Sequence, residues 1–345
     1  MKSMQLTGIR QMKMFDVPKP DLQSDADVLI QIQAVGVCGS DVHYYTAGKI
    51  GSQVVRYPFP VGHECAGIVE KVGAAVDSVR VGDRIAIEPA MPCGACDQCL
   101  CGRPHTCRKL RFLGCPGQAE GCLSEYVVMP QKSCLPIPSG MSFEQATISE
   151  PLAIGLYAAR LAGDLKGKNI AILGSGPIGL SVLAGVRLAG AANVYLTDKI
   201  DERLAMAQES GATSTYNIIH QCAIIEILKR EPLMIDVVFD CCGQQEALDQ
   251  AIDLLKPGGK LMIVGIPSFS NFSFPADDLR RKEIAIQNVR RQNGCDKEAI
   301  SVIADGRVAV DHWITHRFGF EQSKEAFDMV AGYHDGVMKA MILIQ

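Results

Sequence analysis

The chain has 345 residues, 48% of them hydrophobic and 21% charged, and a formal net charge of -4. That is apolar material enough for two domains and too much for a disordered segment. The lack of a basic block excludes nucleic acid and anionic membrane as electrostatic partners and leaves small-molecule chemistry. The first residues show no apolar core of a signal peptide, so the chain is expected in the cytoplasm, where its 14 cysteines would serve metal binding and burial as reduced thiols.

In chain order, period-two runs at 28–34 and 67–72, each closed by Gly or Asp, predict strands. The stretch up to about 150 is dense in Val, Ile, Gly and Pro and predicts a small β-rich barrel. Inside it, Cys38 in Val37-Cys38-Gly39-Ser40-Asp41 and the pair in Val61-Gly62-His63-Glu64-Cys65 offer sulfur, imidazole and carboxylate from separate segments. That mixed set is what an open catalytic zinc requires. Cys93, Cys96, Cys99 and Cys107 have the spacing of a closed tetrahedral shell, a structural zinc that would order a loop too polar to fold alone. Cys101 in the same loop is a bystander or a competing ligand.

From Glu150 the period changes. Residues 151–162 have helical spacing, and strand and helix patterns then alternate through 169–173, 177–189, 193–197, 201–209, 235–240, 246–255 and 260–264. Alternating βα units predict a doubly wound parallel sheet. The most apolar stretch, 170–196, is broken by glycines, Pro177 and Arg187, which excludes a membrane span. After about 288 mixed elements return, and the apolar run 341–344 predicts a strand docked back onto the first half. The expected domains are therefore 1–150 with 288–345, and 151–287.

Gly174-Ser175-Gly176-Pro177-Ile178-Gly179 follows a strand and opens a helix. Gly174 permits the tight turn, Gly176 lets backbone amides approach a pyrophosphate, and Gly179 allows close helix packing. Asp198, at the end of the next predicted strand, suits the adenosine ribose hydroxyls and repels a 2′-phosphate, so NAD is expected over NADP. Lys199 and Arg203 could reach such a phosphate, or could be a solvated pair at a helix start. Val264-Gly265-Ile266 stands where backbone atoms could meet the nicotinamide end.

Taken together, the Cys38 and His63-Glu64 segments, the four-cysteine lobe, Ser149-Glu150-Pro151-Leu152, the glycine loop with Asp198, and Val289-Arg290 resemble the zinc-dependent medium-chain dehydrogenases, closest to their sorbitol and polyol branch. The resemblance spans nearly the whole chain. It implies an α/β protein with a GroES-like catalytic domain and a Rossmann domain, two zinc ions per subunit, one catalytic and one structural, NAD, and a homodimer or homotetramer. It implies that Cys38, His63 and Glu64 approach the catalytic zinc, with Glu150 giving a further carboxylate or holding its water. Asp41 would orient the His63 ring through its other nitrogen. Ser40, His43, Tyr44 and Glu150 are the candidates for proton transfer, and Tyr44, Glu150 and Arg290 for substrate contact. Where the branch carries an aromatic residue beside that arginine, this chain carries Arg291. Two guanidinium groups suit an aldonate or sugar phosphate; alternatively Arg291 points away and pairs locally. The implied reaction moves a hydride between NAD and a secondary hydroxyl or ketone of a polyol or sugar derivative. Competing expectations are a threonine or simple secondary-alcohol dehydrogenase on the same fold, and a non-catalytic nucleotide-binding descendant of it.

Overall fold

The computed structural model describes residues 1–344 and divides into two compact units, residues 1–150 together with those from 296 on, and 151–295. The second crossing thus falls at 295/296, later than the expected 288. The reason is that the Ala285–Asn288 strand completes the second unit's sheet, and Val289 still donates its N–H to Ile263 there.

The first unit is built on a seven-stranded sheet. Its main path runs Cys134–Pro136, Arg84–Ile87, Glu64–Val72, Asp27–Gly36, Lys339–Leu343, Ile314–Gly319, and Tyr126–Pro130 also pairs with Asp27–Gly36. The pairing is antiparallel except between the Ile314–Gly319 and Lys339–Leu343 strands. Alternation drives the central strand: Ile30, Ile32 and Ala34 are buried, while Gln31 and Gln33 are only partly so. Its last residue, Gly36, lies opposite Glu64 on one side and Met341 on the other. The ends of three strands, and the Gly39–Ala47 helix that follows Cys38, are thereby brought to one place.

A helix expected over 151–162 begins at Phe143 and carries Pro151 inside it. A reciprocal cap starts it early: Ser142 N–H donates to Gln145 Oε1 at 2.9 Å and Gln145 N–H to Ser142 Oγ at 3.0 Å.

The second unit is a six-stranded parallel sheet in the order Ser214–Asn217, Asn193–Asp198, Asn169–Leu173, Ile235–Asp240, Leu255–Ile263, Ala285–Asn288. The inner strands carry apolar runs such as Ile170–Leu173, Val237–Phe239 and Leu261–Ile263, as sheets covered on both faces require. Strand order reverses beside Asn169–Leu173, and ligands of such sheets bind at the strand ends near that reversal. The two edge strands were not among the expected elements. One reads Ser-Thr-Tyr-Asn and the other is exposed along its whole length, so neither has the apolar run of its neighbours. Among the described residues no helix is long and apolar enough to cross a membrane.

Candidate metal and cofactor sites

Cys38, His63 and Glu64 each place one ligand atom so that all three lie within 4.8 Å of one another. Cys38 is the N-cap of the Gly39–Ala47 helix, and Ser40 Oγ donates to its sulfur at 3.3 Å. Asp41, fully buried on the same helix, has a carboxylate oxygen 3.3 Å from His63 Nδ1. That approach is off line for a strong hydrogen bond, yet it fixes the ring and leaves Nε2 for a metal. Burial works against a charged His63, but the Asp41 and Cys38 charges beside it outweigh this and hold the imidazole well above its ordinary value. One thiolate, one imidazole and one carboxylate, drawn from separate segments and mostly buried, fit a zinc ion with a place left for substrate.

Glu150 lies outside that triad but close enough to feel it. Burial above all pushes its carboxyl up to about 7, with the His63 and Lys339 charges opposing the rise and those of Glu64 and Asp296 adding to it, and its Oε2 is buried without a hydrogen-bond partner. Tyr44 is buried within the helix and donates its hydroxyl to Gln53 Oε1 at 2.9 Å. His43 is half-buried, and burial lowers its pKa, favouring the neutral ring.

One residue of this site escaped the sequence reading. Lys339 is 2% exposed and donates Nζ to both Glu64 oxygens at 3.0 and 2.7 Å. The signal that could have found it is a single lysine in the run Val337-Met338-Lys339-Ala340-Met341-Ile342, since a buried lysine has to be paired.

The lobe brings Cys93, Cys96, Cys99 and Cys107 together. Sulfur separations of 3.6 Å for Cys96 to Cys99, 3.8 Å for Cys96 to Cys107 and 3.5 Å for Cys107 to Cys93 match the edges of a zinc–thiolate tetrahedron, about 3.8 Å for bonds near 2.3 Å. Backbone N–H groups of Cys93 and Lys109 both point at the Cys107 sulfur, each at 3.3 Å. Those of Arg108 and Cys99 lower the Cys96 thiol to about 6. Cys101 stands apart, exposed, with its thiol on the Gln98 carbonyl.

In the second unit Gly174 has φ 101°, and a Cβ on Gly179 would sit 2.0 Å from the Gly174 carbonyl oxygen. Only glycine lets this strand turn into the Pro177–Leu188 helix so closely, which leaves the helix N-terminus open to a pyrophosphate. Asp198 is fixed by backbone: Oδ2 accepts Ser175 N–H at 2.7 Å, and Oδ1 accepts Lys199 N–H at 2.7 Å and Ile200 N–H at 3.1 Å. Arg203 is buried, its Nη1 near the Gly176 position, whereas Lys199 is exposed. Val264 and Gly265 both donate to the Asp240 carbonyl at 2.9 Å, and Ile266 is 45% exposed. The neighbouring arginines differ: Arg290 is exposed, while Arg291 is half-buried in a left-handed backbone, φ 53°, with Nη1 shielded from solvent.

Residues 24–139 match the alcohol dehydrogenase GroES-like domain, and 177–305 match the zinc-binding dehydrogenase domain. The chain is 37% identical to the sorbitol dehydrogenase of Bacillus subtilis over 99% of its own length and 97% of that protein's. It is 35% identical to the L-idonate 5-dehydrogenase of Vitis vinifera over 94% and 90%. Among solved structures it superposes with a TM-score of 0.94, at 32% identity, on an Escherichia coli oxidoreductase of unknown specificity, covering 100% of this chain and 99% of that one. With open and closed metal sets in one unit and a glycine-loop nucleotide fold in the other, the chain belongs to the zinc-binding alcohol dehydrogenases with a GroES-like domain.

Proposed function

We propose that this protein is a zinc- and NAD-dependent dehydrogenase that moves a hydride between NAD and a secondary hydroxyl or ketone of a polyol or sugar derivative. The observation that carries the reading is the Cys38, His63 and Glu64 triad, a donor set with a vacancy. When bound, zinc supplies Lewis acidity toward the substrate oxygen, and NAD accepts the hydride at its nicotinamide ring.

The chain's own residues do the rest. Asp41 holds the His63 ring in one orientation, and the Ser40 hydroxyl steadies the Cys38 sulfur. Glu150, with a buried and unpartnered Oε2 and a carboxyl pushed up to about 7, is the group we assign to hold the proton that leaves the alcohol. Tyr44 is a wall residue in this reading, because its hydroxyl proton is already given to Gln53. In the second unit Gly174, Gly176, Ile178 and Gly179 take the pyrophosphate, Asp198 the ribose, with Arg203 beside it, and Val264 to Ile266 with Val289 the nicotinamide end. Asp198 favours NAD over NADP. Arg290, exposed beside Val289, is offered to the substrate.

The sorbitol dehydrogenase relative supports a neutral polyol, and the L-idonate 5-dehydrogenase relative supports an acidic sugar. The test is NAD reduction by zinc-loaded protein across neutral polyols, aldonates, sugar phosphates, threonine and simple secondary alcohols, scored by kcat/KM. Highest values on threonine or a simple alcohol would refute the polyol reading. If acids are preferred, Arg291→Tyr should lower kcat/KM on acids more than on neutral polyols; an equal factor on both removes Arg291 from substrate binding. The enzyme works in the cytoplasm as a homodimer or homotetramer, which sedimentation of the purified protein tests.

A further inference from the structure

The Gly39–Ala47 helix reaches beyond the metal set. Ser40 and Asp41 steady Cys38 and His63, and Tyr44, four and three residues further on, shares their face of the helix. A second segment leads the same way. The Phe112 ring packs 5.4 Å from that of His63, a Cβ on Gly114 would stand 2.5 Å from the Gly62 carbonyl oxygen, and the Cys115 sulfur lies 3.9 Å from the Tyr44 hydroxyl. The Tyr44 hydroxyl therefore stands on the wall that leads away from the metal set, and there it donates to Gln53 Oε1 at 2.9 Å. Gln53 belongs to the short Gln53–Val54 strand, paired with Lys49–Ile50, and is half-buried where Tyr44 is buried. Its Nε2 donates to none of the described residues and is not shut away from solvent. A carboxamide whose oxygen is held in this way keeps two N–H donors, fixed in direction, for an oxygen acceptor.

We infer that Gln53 is a specificity-determining residue whose Nε2 donates to a substrate oxygen other than the reacting one, so that the site selects alcohols carrying a further hydroxyl or carboxylate over simple secondary alcohols. An analogue that lacks this oxygen forfeits the bond and leaves the donor to water. The inference rests on the reading of the protein as a polyol or sugar-derivative dehydrogenase.

The experiment compares the zinc-loaded full chain as wild type, as Gln53→Leu, and as Gln53→Glu, which retains an acceptor for Tyr44 but lacks both donors. The substrates are a neutral polyol, the matching aldonate and a simple secondary alcohol. The readouts are kcat/KM and, without turnover, the Kd of polyol and aldonate from the fluorescence of bound NADH. Wild type that turns over neither polyol nor aldonate sinks the proposed function itself, whatever Gln53 does. If either is a substrate, Gln53→Leu should lower kcat/KM on it by about fivefold or more relative to the simple alcohol, as the loss of one hydrogen bond costs, and should raise its Kd by a similar factor. In Gln53→Glu a greater loss on the aldonate than on the polyol assigns the contact to the carboxylate, and an equal loss on these two, again relative to the simple alcohol, assigns it to a hydroxyl. The same factor on all three substrates, or a fall in kcat with Kd unchanged, in a folded variant with the zinc content of wild type marks a structural role and overturns the inference. Should Gln53→Leu not fold, Gln53→Glu decides by the same comparison.

Discussion

A methyl group on Gly36 would stand 2.3 Å from a Glu64 oxygen and 3.2 Å from Thr147 Cγ2, with nowhere to go inside the sheet. Gly36→Ala should push the carboxylate off Lys339 and leave two buried charges apart, a cost of about 3–5 kcal/mol. Urea melts measure this, and zinc content should fall by the open site while the lobe keeps its ion. Glu150 gives a pH signature. Its carboxyl is raised from 4.5 to about 7, by burial above all, so the folded metal-free state binds the proton more tightly than the unfolded one. The stability it contributes is fully present below about 4.5 and is lost as pH rises through about 7. The urea midpoint of metal-free protein should therefore drop between pH 5.5 and 8 by more in wild type than in Glu150→Gln; equal drops would contradict it. The clustering of the candidate ligands was legible in the sequence because metal chemistry needs scarce residue types at tight spacings. Lys339 was not, because its partner Glu64 lies 275 positions away and a lysine in a strand reads as an edge charge.

Local elements were legible where one period or one spacing governs them. The lobe is such a case: its sulfurs sit at tetrahedral spacing, yet Cys93 and Cys101 are exposed and Leu100 is 77% exposed, so little apolar burial supports it. Cys107→Ser should release one zinc per chain, lower the Tm by about 5 °C or more, and open residues 93–107 to protease while the open site keeps its metal. The turn from strand to helix at Gly174 is the second case. Gly179→Ala cannot be accommodated without moving the Gly174 carbonyl, 2.0 Å from the new carbon, and the helix N-terminus moves with it. The Kd for NAD should rise by about tenfold or more, read by fluorescence titration, with zinc content unchanged. Pro151 shows where local reading stops. A proline suggests a helix start, but the Ser142 and Gln145 cap begins the helix sooner and the proline is carried within it.

Each unit of the molecule carries one part of the proposed chemistry, the candidate metal ligands at 1–150 and the glycine loop proposed for the nucleotide at 151–295. Hydrogen exchange should separate them: NAD should protect amides around 174–179 and 198, and zinc those around 38, 63 and 93–107. Protection of the lobe by NAD alone would contradict the assignment. The two-unit plan was legible from the switch in hydrophobic period at Glu150. The return crossing was not, because residues 289–295 have neither periodicity and stay with the second unit through backbone pairing such as Val289 to Ile263. The Lys339–Leu343 strand lies inside the first unit's sheet, between Asp27–Gly36 and Ile314–Gly319, and this sets an order of birth. As the ribosome makes the chain, residues 151–295 are free to fold while the other unit still lacks an interior strand. Until that strand arrives, the Glu64 carboxylate has no ammonium beside it and the Cys38 thiol no finished wall. A chain stopped before residue 339 therefore lacks both an interior strand of the first unit's sheet and the cation that faces Glu64.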